Sequence, residues 1–219
     1  MLGILKKDFF LYVLMFLLFV PLEVMSVYKD RLSWGSTVSF ASQMMIAVLL
    51  PVVGSESREY LTNGYRVLKS LPVTDREIVQ AKHALPLGFV ALWVTYQYVL
   101  LGLVPASEKF LLLSRGYVVV MANVCLLVSA GILYAAYRFG MSRFTKFSAM
   151  GLPVLIGVAI VLVNEGLLRW FRRVPTAQGL EALAGLASWF SLVVLCCAGL
   201  GLYWLIMRAS VRAKAAREE

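Results

Sequence analysis

Gly54 to Lys82 reads GSESREYLTNGYRVLKSLPVTDREIVQAK, the longest polar interruption in an otherwise apolar chain. It holds five bases (Arg58, Arg66, Lys69, Arg76, Lys82) and four acids (Glu56, Glu59, Asp75, Glu77). From Glu56 to Leu68 the apolar residues Tyr60, Leu61, Tyr65 and Leu68 recur at helical spacing, which predicts a short amphipathic helix. Pro72 ends it, because proline has no backbone donor and turns Leu71 away from the helical region. A second helix is predicted to start at once. Thr74 is an N-cap residue and Glu77 stands three positions on, the spacing of a capping box. Val73 and Ile78 flank the cap as a hydrophobic staple would require. The stretch therefore specifies helix, hard turn, helix, outside the lipid and between two membrane spans.

Composition sets the frame. Of 219 residues, 61% are hydrophobic and 15% charged, and mean hydropathy is +0.81. A soluble domain is about half apolar and about a quarter charged. The chain reads as an all-α polytopic membrane protein, one membrane domain over residues 1–219, with no internal repeat and no linker. The net charge of +9 does not point to nucleic acid, since the bases lie at the ends of apolar runs and no aromatic-basic RNA motif is present.

Six transmembrane helices are predicted, at about 9–28, 36–53, 84–104, 116–137, 148–168 and 182–207, each near the 20 or so residues needed to cross. Met1 to Asp8 is expected to be a separate amphipathic lead on the membrane surface, with Lys6 and Lys7 among the headgroups. Arg208 to Glu219 is expected to be a helical, fraying tail. The lead, the polar stretch, the loop after the fourth span and the tail carry 14 of the 21 Lys and Arg residues. The positive-inside rule then places both termini and the Gly54–Lys82 stretch in the cytoplasm.

The chemistry is sparse. No phosphate-binding loop occurs, so the chain has no ATPase site of its own, and no cofactor or metal is implied within it. The single histidine, His83, has no metal-ligand or triad spacing around it and reads as an interfacial residue. Cys125, Cys196 and Cys197 lie in apolar runs and read as packing residues. Glu23, Asn164 and Glu165 are polar positions in the outer thirds of the first and fifth spans. Each is an element of an outer path, or a wetted interfacial group paired with the Arg169–Arg173 loop. Gly131 with Ala135, and Cys197 with Gly201, are spaced for close helix contact.

Tyr60 to Lys82 resembles the signature of ATP-binding-cassette type-2 exporter permeases. The likeness rests on Leu68, Ser70, Leu71, Pro72, Val73, Thr74, Arg76, Glu77, Ile78, Val79, Ala81 and Lys82, with Leu5 to Phe9 before the first span. It implies a six-span permease, half of a homo- or heterodimer, whose coupling helix between spans two and three docks a separate ATPase subunit carrying ATP and Mg. The docking residues would be Glu56, Arg58, Glu59, Tyr60, Leu61, Tyr65, Arg66, Leu68, Lys69, Ser70, Leu71 and Pro72. Their exposed charges and aromatic anchors would enter a groove of the ATPase. The lead would be the family's interfacial helix. In many relatives the segment before Ser-Leu-Pro-Val is more acidic, whereas here Gly64 and Tyr65 interrupt it.

The reading of function is a bacterial inner-membrane permease moving a hydrophobic or amphipathic cargo (peptide, antibiotic or lipid-like) outward. The alternative is a non-pumping membrane immunity or scaffold protein. A secondary transporter fits less well, because it would place charged or broken helices at the membrane centre.

Overall fold

The structure, a computed structural model, describes residues 2–30, 34–61, 73–103, 108–140 and 189–218. These residues form five helices and no strand: α1 (Leu2–Asp30), α2 (Trp34–Leu61), α3 (Asp75–Leu103), α4 (Glu108–Phe139) and α5 (Trp189–Glu218). By length and composition α3, α4 and α5 each carry a stretch able to cross a membrane. The predicted fifth span, 148–168, lies outside the described residues.

Three boundaries differ from the sequence expectation. The Met1–Asp8 lead is not a separate surface helix; α1 runs unbroken from Leu2 to Asp30. Its polar residue Asp8 is buried among neighbouring helices, so the lead continues the span's own axis. The second span does not stop at Val53 before a new helix begins; α2 continues to Leu61. Nothing from Gly54 to Leu61 breaks a helix, and Ser55 is accommodated by donating its hydroxyl to the Val52 carbonyl at 3.3 Å. The C-terminal segment does not fray after Arg208, since α5 extends to Glu218 and buries Ser210, Ala213 and Lys214.

Pro21, Pro51 and Pro86 all lie inside helices. Membrane helices tolerate proline where neighbouring helices, hydroxyl side chains or a local adjustment of the helix satisfy the freed backbone groups. α4 ends sharply. Gly140 has φ 89° and donates its N–H to the Ala136 carbonyl at 3.1 Å, a left-handed C-terminal cap that suits glycine.

α3 touches all four of the other helices, and the most extensive contact is between α4 and α5. The core combines Met44, Val48, Leu49 and Val52 of α2 with Phe89 and Trp93 of α3 and Cys125, Leu126 and Leu133 of α4. Trp93 is wholly buried in an aromatic cluster with Phe16, Phe19, Phe89 and Tyr96, at centroid separations of 5.7, 6.4, 5.8 and 6.2 Å. Most of these pairs meet edge to face, the arrangement the ring quadrupole favours. Large apolar side chains such as Phe10, Leu17, Val99 and Leu205 point outward, as a lipid-facing surface requires.

The α4–α5 contact depends on one glycine. A Cβ on Gly199 would fall 1.6 Å from Asn123 Oδ1, so the Asn123 amide lies directly on the α5 backbone. Asn123 satisfies its own donor by bonding the Val119 carbonyl at 2.9 Å. The small residues singled out by spacing lie elsewhere. Gly131 and Gly201 are exposed, with open space where a Cβ would project.

Candidate functional site

The segment expected to dock a partner is held between the end of α2 and the start of α3. Glu56 and Arg58 lie in the final turns of α2, and Glu59, Tyr60 and Leu61 complete it. Tyr65, Arg66, Leu68, Lys69, Ser70, Leu71 and Pro72 lie outside the described residues. α3 then opens with reciprocal hydrogen bonds. Glu77 Oε2 accepts from the Thr74 N–H at 2.8 Å and from the Thr74 hydroxyl at 2.9 Å. The Glu77 N–H donates back to Thr74 Oγ1 at 3.3 Å. These bonds favour the carboxylate and hold the Glu77 carboxyl below its ordinary value, the Thr74 backbone N–H contributing most.

Arg58 is exposed, whereas Glu56 is fully buried. The expectation that Glu56 belongs to an exposed charged face is thereby corrected: its carboxylate turns inward to Lys82. Lys82 Nζ lies 2.7 Å from Asp8 Oδ2 and 3.3 Å from Glu56 Oε1. All three residues are 3% exposed or less, and they come from α3, α1 and α2 respectively. Charges removed from water in this way persist only when paired, which explains why the three converge.

A second polar seam joins the other side of α3 to α5. Tyr203 donates its hydroxyl to the His83 carbonyl. Ser210 donates its hydroxyl to the Ile206 carbonyl at 2.9 Å and lies 3.3 Å from His83 Nε2. Because the serine hydrogen is already directed at Ile206, the geometry assigns the ring proton to Nε2, which donates to Ser210 Oγ. His83 is therefore a buried helix-to-helix tie. Lys214 Nζ completes the seam at 2.8 Å from Asp75 Oδ1.

Glu23 lies in α1, while Asn164 and Glu165 lie outside the described residues. An apolar groove of about 240 Å³ runs between α1 and α3, floored by Tyr12, Gly88 and Phe89 and rimmed by Phe9, Leu17 and Leu92. Among the described residues no three His, Cys, Asp or Glu side chains converge as metal ligands.

Sequence reasoning did not find the Asp8–Lys82–Glu56 cluster or the His83–Ser210 tie. Some signal was present. Asp8 stands at the head of an apolar run, and Lys82 and Glu56 flank the two ends of the polar stretch. Pairing across three helices is what spacing along one helix does not reveal.

A bundle of long apolar helices, three of them able to cross a membrane, defines a multi-pass membrane protein. Residues 3–213 match the family described as ABC-2 family transporter protein, and the chain belongs to that family. Its members are the transmembrane permease component and not the ATPase, and membership implies pairing with an ATP-binding-cassette ATPase subunit. No curated protein and no solved structure matches the chain.

Proposed function

We propose that this chain is the permease half of a bacterial ATP-driven exporter that moves a hydrophobic or amphipathic cargo outward. Its dimer partner is a second copy or a paralogue. The observation that carries the reading is the pair of stiff arms around residues 62–73. α2 runs on to Leu61 without a break, and α3 begins with the Thr74–Glu77 cap. A partner gripping the segment between them would move two helices rather than a slack loop. The family's pairing with an ATPase supplies the motor, and closure of the nucleotide-binding subunits would drive this corner against the bundle.

Both termini and the corner face the cytoplasm in this proposal. The excess of Lys and Arg at that end supports the orientation. The start of α1 and the end of α5 both meet the first turns of α3, which supports an even number of crossings, six in this proposal. The apolar α1–α3 groove and the scarcity of polar lining groups favour an apolar cargo. Residues Arg58 to Pro72 would form the docking element, with Tyr60, Leu61 and Tyr65 as anchors.

The test is the double substitution Leu61→Asp with Tyr65→Asp. The ATPase should no longer co-purify in mild detergent, while the melting temperature of the permease stays as in the wild type. Full-yield co-purification would refute the docking assignment. Vanadate-sensitive hydrolysis by the wild-type complex, stimulated by an apolar peptide, would separate a pump from a protein that protects by binding alone.

A further inference from the structure

From Trp189 to Met207 α5 carries no charged side chain. At 1.5 Å per residue that length is about 28 Å, close to the roughly 30 Å of hydrocarbon in a bilayer. Arg208 therefore stands where hydrocarbon gives way to headgroups, with Trp204 one turn inside it. The Arg208 guanidinium carbon lies 3.7 Å from the centre of the Trp204 ring. Stacking at this distance holds the arginine along the helix and leaves its in-plane N–H groups free to bind an anion. Arg212 follows one turn on and shares that face. Trp204, Arg208 and Arg212 are all exposed.

The two cations have no counter-charge on their own helix, since α5 holds no acid before Glu218. Asp75 of the neighbouring α3 is taken by Lys214, which turns inward from a different face. Among the described residues neither Arg208 nor Arg212 meets a carboxylate. Towards the membrane the same face is apolar and indented: Leu205 is exposed, and Gly201 leaves open space where a Cβ would project. An occupant of this face must be apolar along the bilayer and anionic at its end. A soluble subunit reaches only the charged end. A two-fold contact of α5 with a second copy would set like charges opposite each other. We propose that Trp204, Arg208 and Arg212 form a binding site for an anionic phospholipid, its phosphate bridging the two guanidinium groups and one acyl chain lying along Gly201 and Leu205. A basic group just outside a span attracts such headgroups, and two planar guanidinium forks one turn apart suit a phosphate. A zwitterionic lipid brings its own cation and is held more weakly. Which leaflet the site faces follows from the orientation proposed above; the site itself does not depend on it.

The test uses the full chain reconstituted in vesicles, with brominated phosphatidylglycerol or brominated phosphatidylcholine present in both leaflets. Bromine quenches tryptophan at contact, and the Trp204 signal is the difference from a parallel Trp204→Phe sample. A guanidinium near an anionic surface contributes on the order of fivefold, so phosphatidylglycerol should compete for the site at least about fivefold better than phosphatidylcholine. Arg208→Gln with Arg212→Gln should bring the two lipids to parity at an unchanged melting temperature, both side chains being exposed. Arg76→Gln with Arg138→Gln removes the same charge from exposed positions on α3 and α4 and should leave the preference intact. Equal quenching by the two lipids in the wild type overturns the proposal. So does a preference that falls as far in the Arg76 and Arg138 variant, which would mark diffuse attraction to a basic protein. A Trp204 that neither lipid quenches is covered by protein, whether a second copy or the ATPase, and overturns it as well.

Discussion

Replacing Lys82 by methionine removes the one ammonium that Asp8 and Glu56 share at 2.7 and 3.3 Å. Methionine keeps the length and apolar stem of lysine, so little packing is lost. What remains is two carboxylates, 2% and 0% exposed, facing each other without that cation. Removing one partner of a buried ion pair destabilises by about 3–5 kcal/mol, because the remaining charge has lost both water and its counter-ion. For a chain of this size each kcal/mol corresponds to about 2–4 °C, so the melting temperature in detergent should fall on the order of 10 °C. Tryptophan fluorescence would follow it, since Trp93 lies at the centre of the bundle. The triple variant Asp8→Asn, Glu56→Gln, Lys82→Met supplies the decisive comparison. It removes these three charges together and should melt far closer to the wild type than Lys82→Met does. A Lys82→Met protein melting within 2 °C of the wild type would refute the burial reasoning. A triple variant no more stable than the single one would show that the loss comes from packing and not from unpaired charge.

Thr74→Ala removes the two capping bonds made by the Thr74 hydroxyl at the start of α3 and should destabilise by about 1 kcal/mol, measured by thermal unfolding in detergent. The same cap sets a pH dependence. The folded-state value of Glu77 is depressed, so its contribution is fully present above the ordinary carboxylate range and is lost as pH falls through the lowered value. Thr74→Ala should weaken that acid limb only in part, since the backbone N–H that lowers Glu77 most is kept, whereas Glu77→Gln should abolish it. At the α4–α5 contact, Gly199→Ala drives a methyl into the Asn123 amide and breaks its bond to Val119, at a cost of about 1–3 kcal/mol. Adding Asn123→Ala should recover part of this, and strictly additive losses in the double-mutant cycle would contradict the contact.

Much of the fold was legible because apolar run length and cap chemistry are local. The capping residues at Thr74 and Glu77 follow from three-residue spacing and need no knowledge of neighbours. Helix ends without such signals were misplaced. Gly54 looks like a boundary after Val53, yet a lone glycine costs a helix only about 1 kcal/mol. The continuing helix also lets Glu56 reach Lys82, so tertiary pairing outweighs local propensity. The same holds for Asp8, whose place in α1 is fixed by a lysine more than 70 positions along the chain. Small-residue spacing misled for a related reason. Gly131 and Gly201 have permissive patterns, but which glycine approaches a neighbour depends on the rotation of each helix about its own axis, and that is set by the whole interface.

The continuity of α2 changes what the corner can do mechanically. At 1.5 Å per residue its 28 residues span about 42 Å, against about 30 Å of hydrocarbon. The 29 residues of α3 span about 44 Å by the same measure. In the proposed orientation both arms therefore extend beyond the lipid on the docking side as uninterrupted helices. A force applied near residue 61 acts on a rod that is tied to α3 through Glu56, little more than one turn away. A short separate helix joined by a flexible glycine would dissipate the same displacement before it reached the membrane. Inserting two glycines between Arg58 and Glu59 should thus preserve the Lys82 cluster and ATPase binding while lowering cargo-stimulated hydrolysis several-fold. Unchanged stimulation in that variant would mean that force enters through α3 alone.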